Sequence, residues 1–450
     1  MKFSLDNKNI EANRGITLIA LIVTIIVLLI LAGITVATLT GDNGLISKTG
    51  EAKDVTERSN EKEELEIEIL GLYDKRGRLD VNQVIQKLRE NIKNLDTVVA
   101  TDEKFPVRVT YKNRHKYIIT NDGEVMILIE AGEAAPSYSN ALYVSDGKIA
   151  IIPGGYTVSS EATEQSIDNG LVIKKGENEW VWIPVEDSSV MYSEANTNTD
   201  WKLNGTNVVT KYKSNSSIIQ GITRDNPDTN NYREPGILYD TSFDNNQENL
   251  ESAGFISYEK MAEGLRDDYK EMIESVKQNK GFYVGRYELS EAGTQKNQEP
   301  ITDISWYKLY KKCKEIDSNG VETRMIWGCQ WDQICNFIST SGDKVILTDS
   351  RTYGNYLDSD ENAKVIVDGV NKYGKKQVTG YSDYWKTNNI YDLAGNCWEW
   401  TQEAKDQNIR AVRGGSGNTD GASYQVTYRT IASPNNIYSN RSSRAVLYVK

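Results

Sequence analysis

Hydrophobic positions are distributed very unevenly along this chain. Residues 16–39 (ITLIALIVTIIVLLILAGITVATL) hold no charge over 24 positions, and as a helix they would span roughly 36 Å, enough to cross a bilayer. Lys2, Lys8 and Arg14 precede the run, and acidic residues predominate after it. The positive-inside rule then places the N-terminus in the cytoplasm. The pattern predicts a single-pass membrane protein with residues 1–15 as a leader and its ectodomain outside. Residues 40–77 read as a charged extension helix, with Asp54 facing Arg58 and a thin apolar seam of Leu65, Ile69 and Leu72.

Asp80-Val81-Asn82-Gln83 reads as a capping box that opens a short helix, with Val81, Val84, Ile85, Leu88 and Ile92 at helical spacing. Alternating strand patterns follow at 107–111 and 117–120, and Asn121-Asp122-Gly123 is a turn signal before a strand at 125–129. Residues 78–130 are thus expected to form a small α+β module, and 131–140 a linker. From 141 to 450 the pattern is of short strands, such as 148–152 and 178–184, interrupted by a polar insertion at 193–253. A helix is expected over Tyr258–Asn279, stopped by Gly281. The overall expectation is an α+β protein.

Composition narrows the partners. A net charge of −12 argues against nucleic acid, because phosphate binding needs clustered Lys and Arg. Apolar residues are only 38%, yet 26 Tyr and 9 Trp supply large buried or binding surfaces. Cys313, Cys329, Cys335 and Cys397 have no CxxC spacing, which leaves disulfides and free buried thiols both open. The only histidine, His115, is far in sequence from the C-terminal region.

Arg14-Gly15-Ile16-Thr17-Leu18-Ile19 resembles a prepilin-type cleavage and methylation motif. That resemblance implies a prepilin peptidase cutting after Gly15, Ile16 as the methylated first residue, and pilin-like subunits as partners. Ala20 stands where most pilins carry Glu, so a simple anchor and a fibre subunit both remain open.

A second resemblance covers roughly residues 145–450. Asn389-Ile390-Tyr391-Asp392-Leu393-Ala394-Gly395-Asn396-Cys397-Trp398-Glu399-Trp400 and Arg413-Gly414-Gly415-Ser416 resemble the core of the formylglycine-generating enzyme (sulfatase-modifying factor) family, a branch of the C-type lectin fold. Segments 281–288, 300–307, 324–334, 428–429 and 444–448 follow the family's order. The family's copper-binding cysteine pair lies between the RGGS-like motif and the chain end. Ser416 to Lys450 contains no cysteine, so copper is not expected; an iron site of the kind some relatives build from histidines is not expected either, with His115 the single, remote histidine, nor is haem, and an active oxidase is the alternative. The resemblance also implies a structural Ca²⁺ held by the Asp392 side chain, the carbonyls of Gly395 and Cys397, and the Glu399 carboxylate. The competing reading has Asp392 capping a turn and Glu399 paired with an arginine such as Arg413. Trp398 and Trp400 are expected to serve the core, on opposite sides of their strand.

Between Ser416 and Arg444 lie Asn418, Asp420, Ser423, Tyr424, Asn435, Asn436, Tyr438, Ser439, Asn440 and Ser442. Tyr offers rigid contact area and Ser and Asn adaptable hydrogen bonds, a mixture suited to recognition. The segment is similar to the hypervariable patch of the variable proteins of diversity-generating retroelements, which sits on the same lectin-type fold. The expected function is a surface-anchored ligand-binding protein on a catalytically dead scaffold, its ligand a protein or glycan. A minor pilin, whose head only spaces or caps a fibre, is the structural alternative.

Overall fold

The computed structural model describes residues 45–186, 247–406 and 409–450. Gly15, Ile16, the apolar run at 16–39 and most of the insertion expected at 193–253 lie outside the described residues. Among the described residues, no helix is long and apolar enough to cross a membrane. The two longest helices, of 26 and 22 residues, carry charges throughout, and charged side chains are costly in hydrocarbon. This corrects the expected single-pass placement.

The chain divides into two compact units, at Val125/Met126. The first contains α1 (Leu45–Leu70), α2 (Val81–Asn91), β1 (Leu95–Thr101), β2 (Lys104–Tyr111) and β3 (Lys116–Ile119). β4 (Val125–Ile127) begins in it and completes a sheet ordered β1-β2-β3-β4. Asp80 caps α2 by accepting from the amides of Asn82 and Gln83, satisfying donors that the first helical turn leaves open. The charged helix is more than a solvated spacer. Leu65 and Ile69 are buried, Tyr117 donates to Glu61 at 2.8 Å, and His115 lies between Glu61 (2.7 Å) and Asp54 (3.1 Å).

The second unit is mixed α+β, with small sheets and few helices. In chain order it runs β5 (Ala141–Ser145), β6 (Lys148–Ile152), β7 (Thr157–Val158), β8 (Val172–Lys175), β9 (Asn178–Pro184), α3 (Gln247–Ser252), α4 (Tyr258–Asn279), β10 (Gly281–Gly285), α5 (Trp306–Lys314), β11 (Val321–Met325) and α6 (Gly328–Thr340). Short hairpins β12 (Ile366–Val367) with β13 (Val370–Asn371), and β14 (Lys386–Thr387) with β15 (Ile390–Tyr391), lead to β16 (Trp398–Asp406), β17 (Ile409–Arg413), β18 (Arg429–Ala432), β19 (Arg441–Ser443) and β20 (Ala445–Val449).

The main sheet has the order β11-β20-β10-β9-β8-β7. Its inner strand β20 is the last of the chain, and all five of its residues are buried. Part of the expected insertion is the helix α3, with Leu250 buried. α4 ends on Lys280 in the left-handed region (φ 59°) rather than on Gly281. Gly281 is required for another reason: a Cβ there would collide with the buried ring of Trp182. α6 is buried along most of its length, and Trp331, Ile334 and Ile338 pack into the same core as Trp327, Val426 and Tyr356. All four cysteines are buried, and none forms a disulfide.

Candidate recognition site

The second sheet, β18-β17-β16-β19, holds the candidate site. β19 runs parallel to β16 and places Arg441 opposite Trp398 and Ser443 opposite Trp400. Trp398 and Trp400 are both buried, but the expected opposite facing is corrected, because residues two apart on a strand share a face. Each supports a separate aromatic group. The Trp398 ring meets Tyr424 at 5.8 Å and Tyr428 at 6.0 Å, and those two tyrosines pack edge to face at 4.9 Å. Trp400 meets Tyr438 at 6.3 Å, and the Arg441 guanidinium lies 3.6 Å from the Tyr438 ring centre.

Several polar residues of the segment join these groups. The amide of Asn440 approaches Asn418 at 3.5 Å, while its carbonyl accepts from the Trp398 amide at 2.9 Å. Asn436 donates to the Tyr438 hydroxyl at 3.1 Å. Asn418, Ser423, Asn436 and Ser439 are exposed, and Asp420, Tyr424, Tyr438 and Asn440 are half-buried. Asp420 accepts from the Ser423 amide at 2.7 Å, which fixes its loop. Asn435 is held by Asn249 of α3 at 2.7 Å. Ser442 is fully buried, with its hydroxyl donating toward the Leu289 carbonyl at 3.4 Å. Its placement in a surface patch is therefore corrected: pairing with Glu399 across the parallel ladder turns it inward. Tyr428 and Arg441 belong to the surface although they were not among the expected residues. The signal for Arg441 was a second arginine three residues before Arg444.

Beneath the patch lies a buried frame. Arg413 pairs with Asp332 of α6 at 2.9 Å, and Arg429 with Glu403 at 2.8 Å. Glu399 pairs with Arg444 at 2.7 Å, not with Arg413. Gly414 and Gly415 take φ values of 87° and 78°, which a side chain would strain, and Tyr356 donates to the Gly414 carbonyl at 2.5 Å. In the motif before them, β15 runs between one left-handed turn at 388–389 and another at 392–396. Asn388, Asn389, Asp392, Gly395 and Asn396 all have positive φ, and Asn, Asp and Gly are the residues that tolerate it.

The second of these turns is also where calcium was expected. Asp392 is buried; its Oδ2 accepts from the Gly380 amide at 2.6 Å, and its Oδ1 has no hydrogen-bond partner. Glu288, also fully buried, accepts from the Cys397 amide at 2.9 Å and from Asn396 at 2.5 Å. Burial pushes the Asp392 carboxyl up to about 7. Burial and the nearby charges of Asp392 and Glu399 raise Glu288 well above its ordinary range. Three interior carboxylates thus face one guanidinium, and protons or a cation must balance the excess. Asp392 fits a hard cation through its free oxygen. Glu399 fits less well, because both of its oxygens are engaged by Arg444. Among the described residues no three His, Cys, Asp or Glu side chains group to hold a metal, so an ion here would rely on the carbonyls of Gly395 and Cys397.

No family model and no curated protein matches the chain. Solved structures similar to it include CarF, at 12% identity and a TM-score of 0.25, covering 38% of this chain and 87% of that one. PvdO from Pseudomonas aeruginosa aligns at 13% identity and 0.23, covering 38% and 81%. The U1 variant of the Major Tropism Determinant aligns over 80% of this chain and 88% of that one, at 10% identity and 0.28.

Proposed function

We propose that the second unit is a non-catalytic recognition domain on a lectin-type scaffold, binding a protein or glycan through the surface between Asn418 and Asn440. The observation that carries this reading is a division of labour within one segment. Arg413, Ser442 and Arg444 are locked into the interior, whereas Tyr424, Tyr428 and Tyr438 stand half-buried on a floor of two tryptophans, among exposed Asn and Ser. Rigid aromatic anchors surrounded by adaptable polar groups are the usual makings of a binding surface. Oxidase chemistry finds no support here. The segment has no cysteine, and burial pushes Cys313 up to about 12 and raises Cys397, away from the thiolate that copper binding and oxidation require.

Selection of a phage-displayed peptide library and an immobilised glycan panel against the full chain tests the proposal. Binders should lose affinity when Tyr424 and Tyr438 are both replaced by Ala in a variant that still folds. Finding only binders indifferent to that double change would overturn the reading. Diversification of the segment is part of the same proposal. It predicts a reverse transcriptase gene and a near-copy of the codons for 413–450 beside this gene, and the absence of both would refute it.

A further inference from the structure

Arg441 is a cation without an anion. Its Nε and Nη1 are buried and take no hydrogen-bond partner, and among the described residues no carboxylate pairs with it. Its guanidinium lies over Tyr438 at 3.6 Å and over Trp400 at 5.4 Å. The other arginines of this region are all committed: Arg413 to Asp332, Arg429 to Glu403 and Arg444 to Glu399. A desolvated charge is costly unless paired, and a chain of net charge −12 has no shortage of acids to pair it with. Asp420, the one acid of the segment, accepts from a backbone amide instead. Burial also holds Arg441 below the usual arginine range, with Tyr438 acting against it.

We propose that Arg441 receives a carboxylate from a protein ligand, an aspartate or glutamate side chain docking beside Tyr438. This rests on the recognition reading of the same surface. Stacking on the ring fixes the guanidinium plane, and with Nε and Nη1 buried, Nη2 is the nitrogen left open to a ligand carboxylate, for a charge-assisted hydrogen bond. Tyr and Arg are the residues that most often dominate protein interfaces, and the Asn and Ser around them favour a protein surface over a sugar alone. A uronic acid offers the same charged group from a glycan, so the test separates the two sources.

The full chain, labelled with ¹⁵N-arginine, is titrated with N-acetyl-aspartyl amide, its asparaginyl counterpart and glucuronate. The Arg441 Nε–Hε resonance is assigned by its loss in Arg441→Lys. A saturating shift with the aspartyl probe and none with the asparaginyl probe is expected. No shift with any probe overturns the proposal, and saturation by glucuronate alone overturns its choice of a protein ligand. Library peptides whose binding depends on Tyr424 and Tyr438 should be rich in Asp or Glu. They should weaken about tenfold or more with Arg441→Gln, at an unchanged melting temperature, and recover in part with Arg441→Lys. Patch-dependent peptides indifferent to Arg441 sink this inference and leave the recognition reading standing. An absence of patch-dependent binders removes both.

Discussion

Arg444 grips Glu399 with two of its nitrogens: Nη2 donates at 2.7 Å and Nε at 3.1 and 3.2 Å, both residues being shut off from solvent. The same guanidinium donates to the carbonyls of Gly285 and Tyr391 at 2.8 and 2.9 Å. One side chain thereby ties β10, β15 and β16 to the start of β20. Removing one partner of a buried pair strands the other, at about 3–5 kcal/mol. Arg444→Met should lose stability on that scale in urea unfolding, and Glu399→Gln less, because an amide oxygen still accepts. A wild-type unfolding curve for Arg444→Met would mean that the pair does not hold the frame.

Arg413 and Tyr424 should respond oppositely. Arg413→Ala leaves Asp332 short of its buried partner and is expected to cost about 3 kcal/mol or more. Tyr424→Ala removes edge contacts to Trp398 and Tyr428, worth about 0.5–1.5 kcal/mol per aromatic pair, and should fall mainly on ligand binding. Paired denaturation and binding measurements on the two variants check the contrast, and a larger stability loss for Tyr424→Ala would contradict it.

Calcium makes a separate prediction. If an ion sits on Asp392, chelation should lower the melting temperature, since a ligand selective for the folded state stabilises it by mass action. Asp392→Asn should abolish that sensitivity. Indifference of the wild-type melting curve to chelator would leave the excess charge to be balanced by protons.

Acid should weaken the main sheet's support at Asp317. Burial alone would raise this carboxyl, but hydrogen bonds from Lys175 (2.7 Å) and Tyr156 (2.6 Å) outweigh it and hold the group below its ordinary value. A depressed folded-state value means that the stabilisation is complete above the unfolded value of about 3.9 and is lost as pH falls through the folded one. Melting temperature measured between about pH 5 and 2 should therefore decline, and Asp317→Asn should flatten part of that decline.

Thiol titration gives the last prediction. All four cysteines are buried and none forms a disulfide, so a thiol reagent should label none in the native protein and four after denaturation without reductant. Fewer than four in the denatured state would reveal a disulfide.

Local sequence determined what depends on near neighbours. The Asp80 cap, the turn at Asn121-Asp122-Gly123 and the limits of α4 follow from side-chain oxygens, glycine and apolar spacing acting within a few residues. The left-handed turns on either side of β15 likewise need only Asn, Asp and Gly at those positions. Tertiary structure alone decided which charges meet. Glu399 could have paired with Arg413 or Arg444, and the parallel placement of β19 beside β16, just before β20 begins, selects Arg444. That register also turned Ser442 inward and set the Arg441 guanidinium over Tyr438. Asn435, polar like its neighbours, is held by Asn249, 186 residues away in sequence. Alternation along a strand says that residues change faces, whereas only the partner strands say which face meets the core and which is left for a ligand.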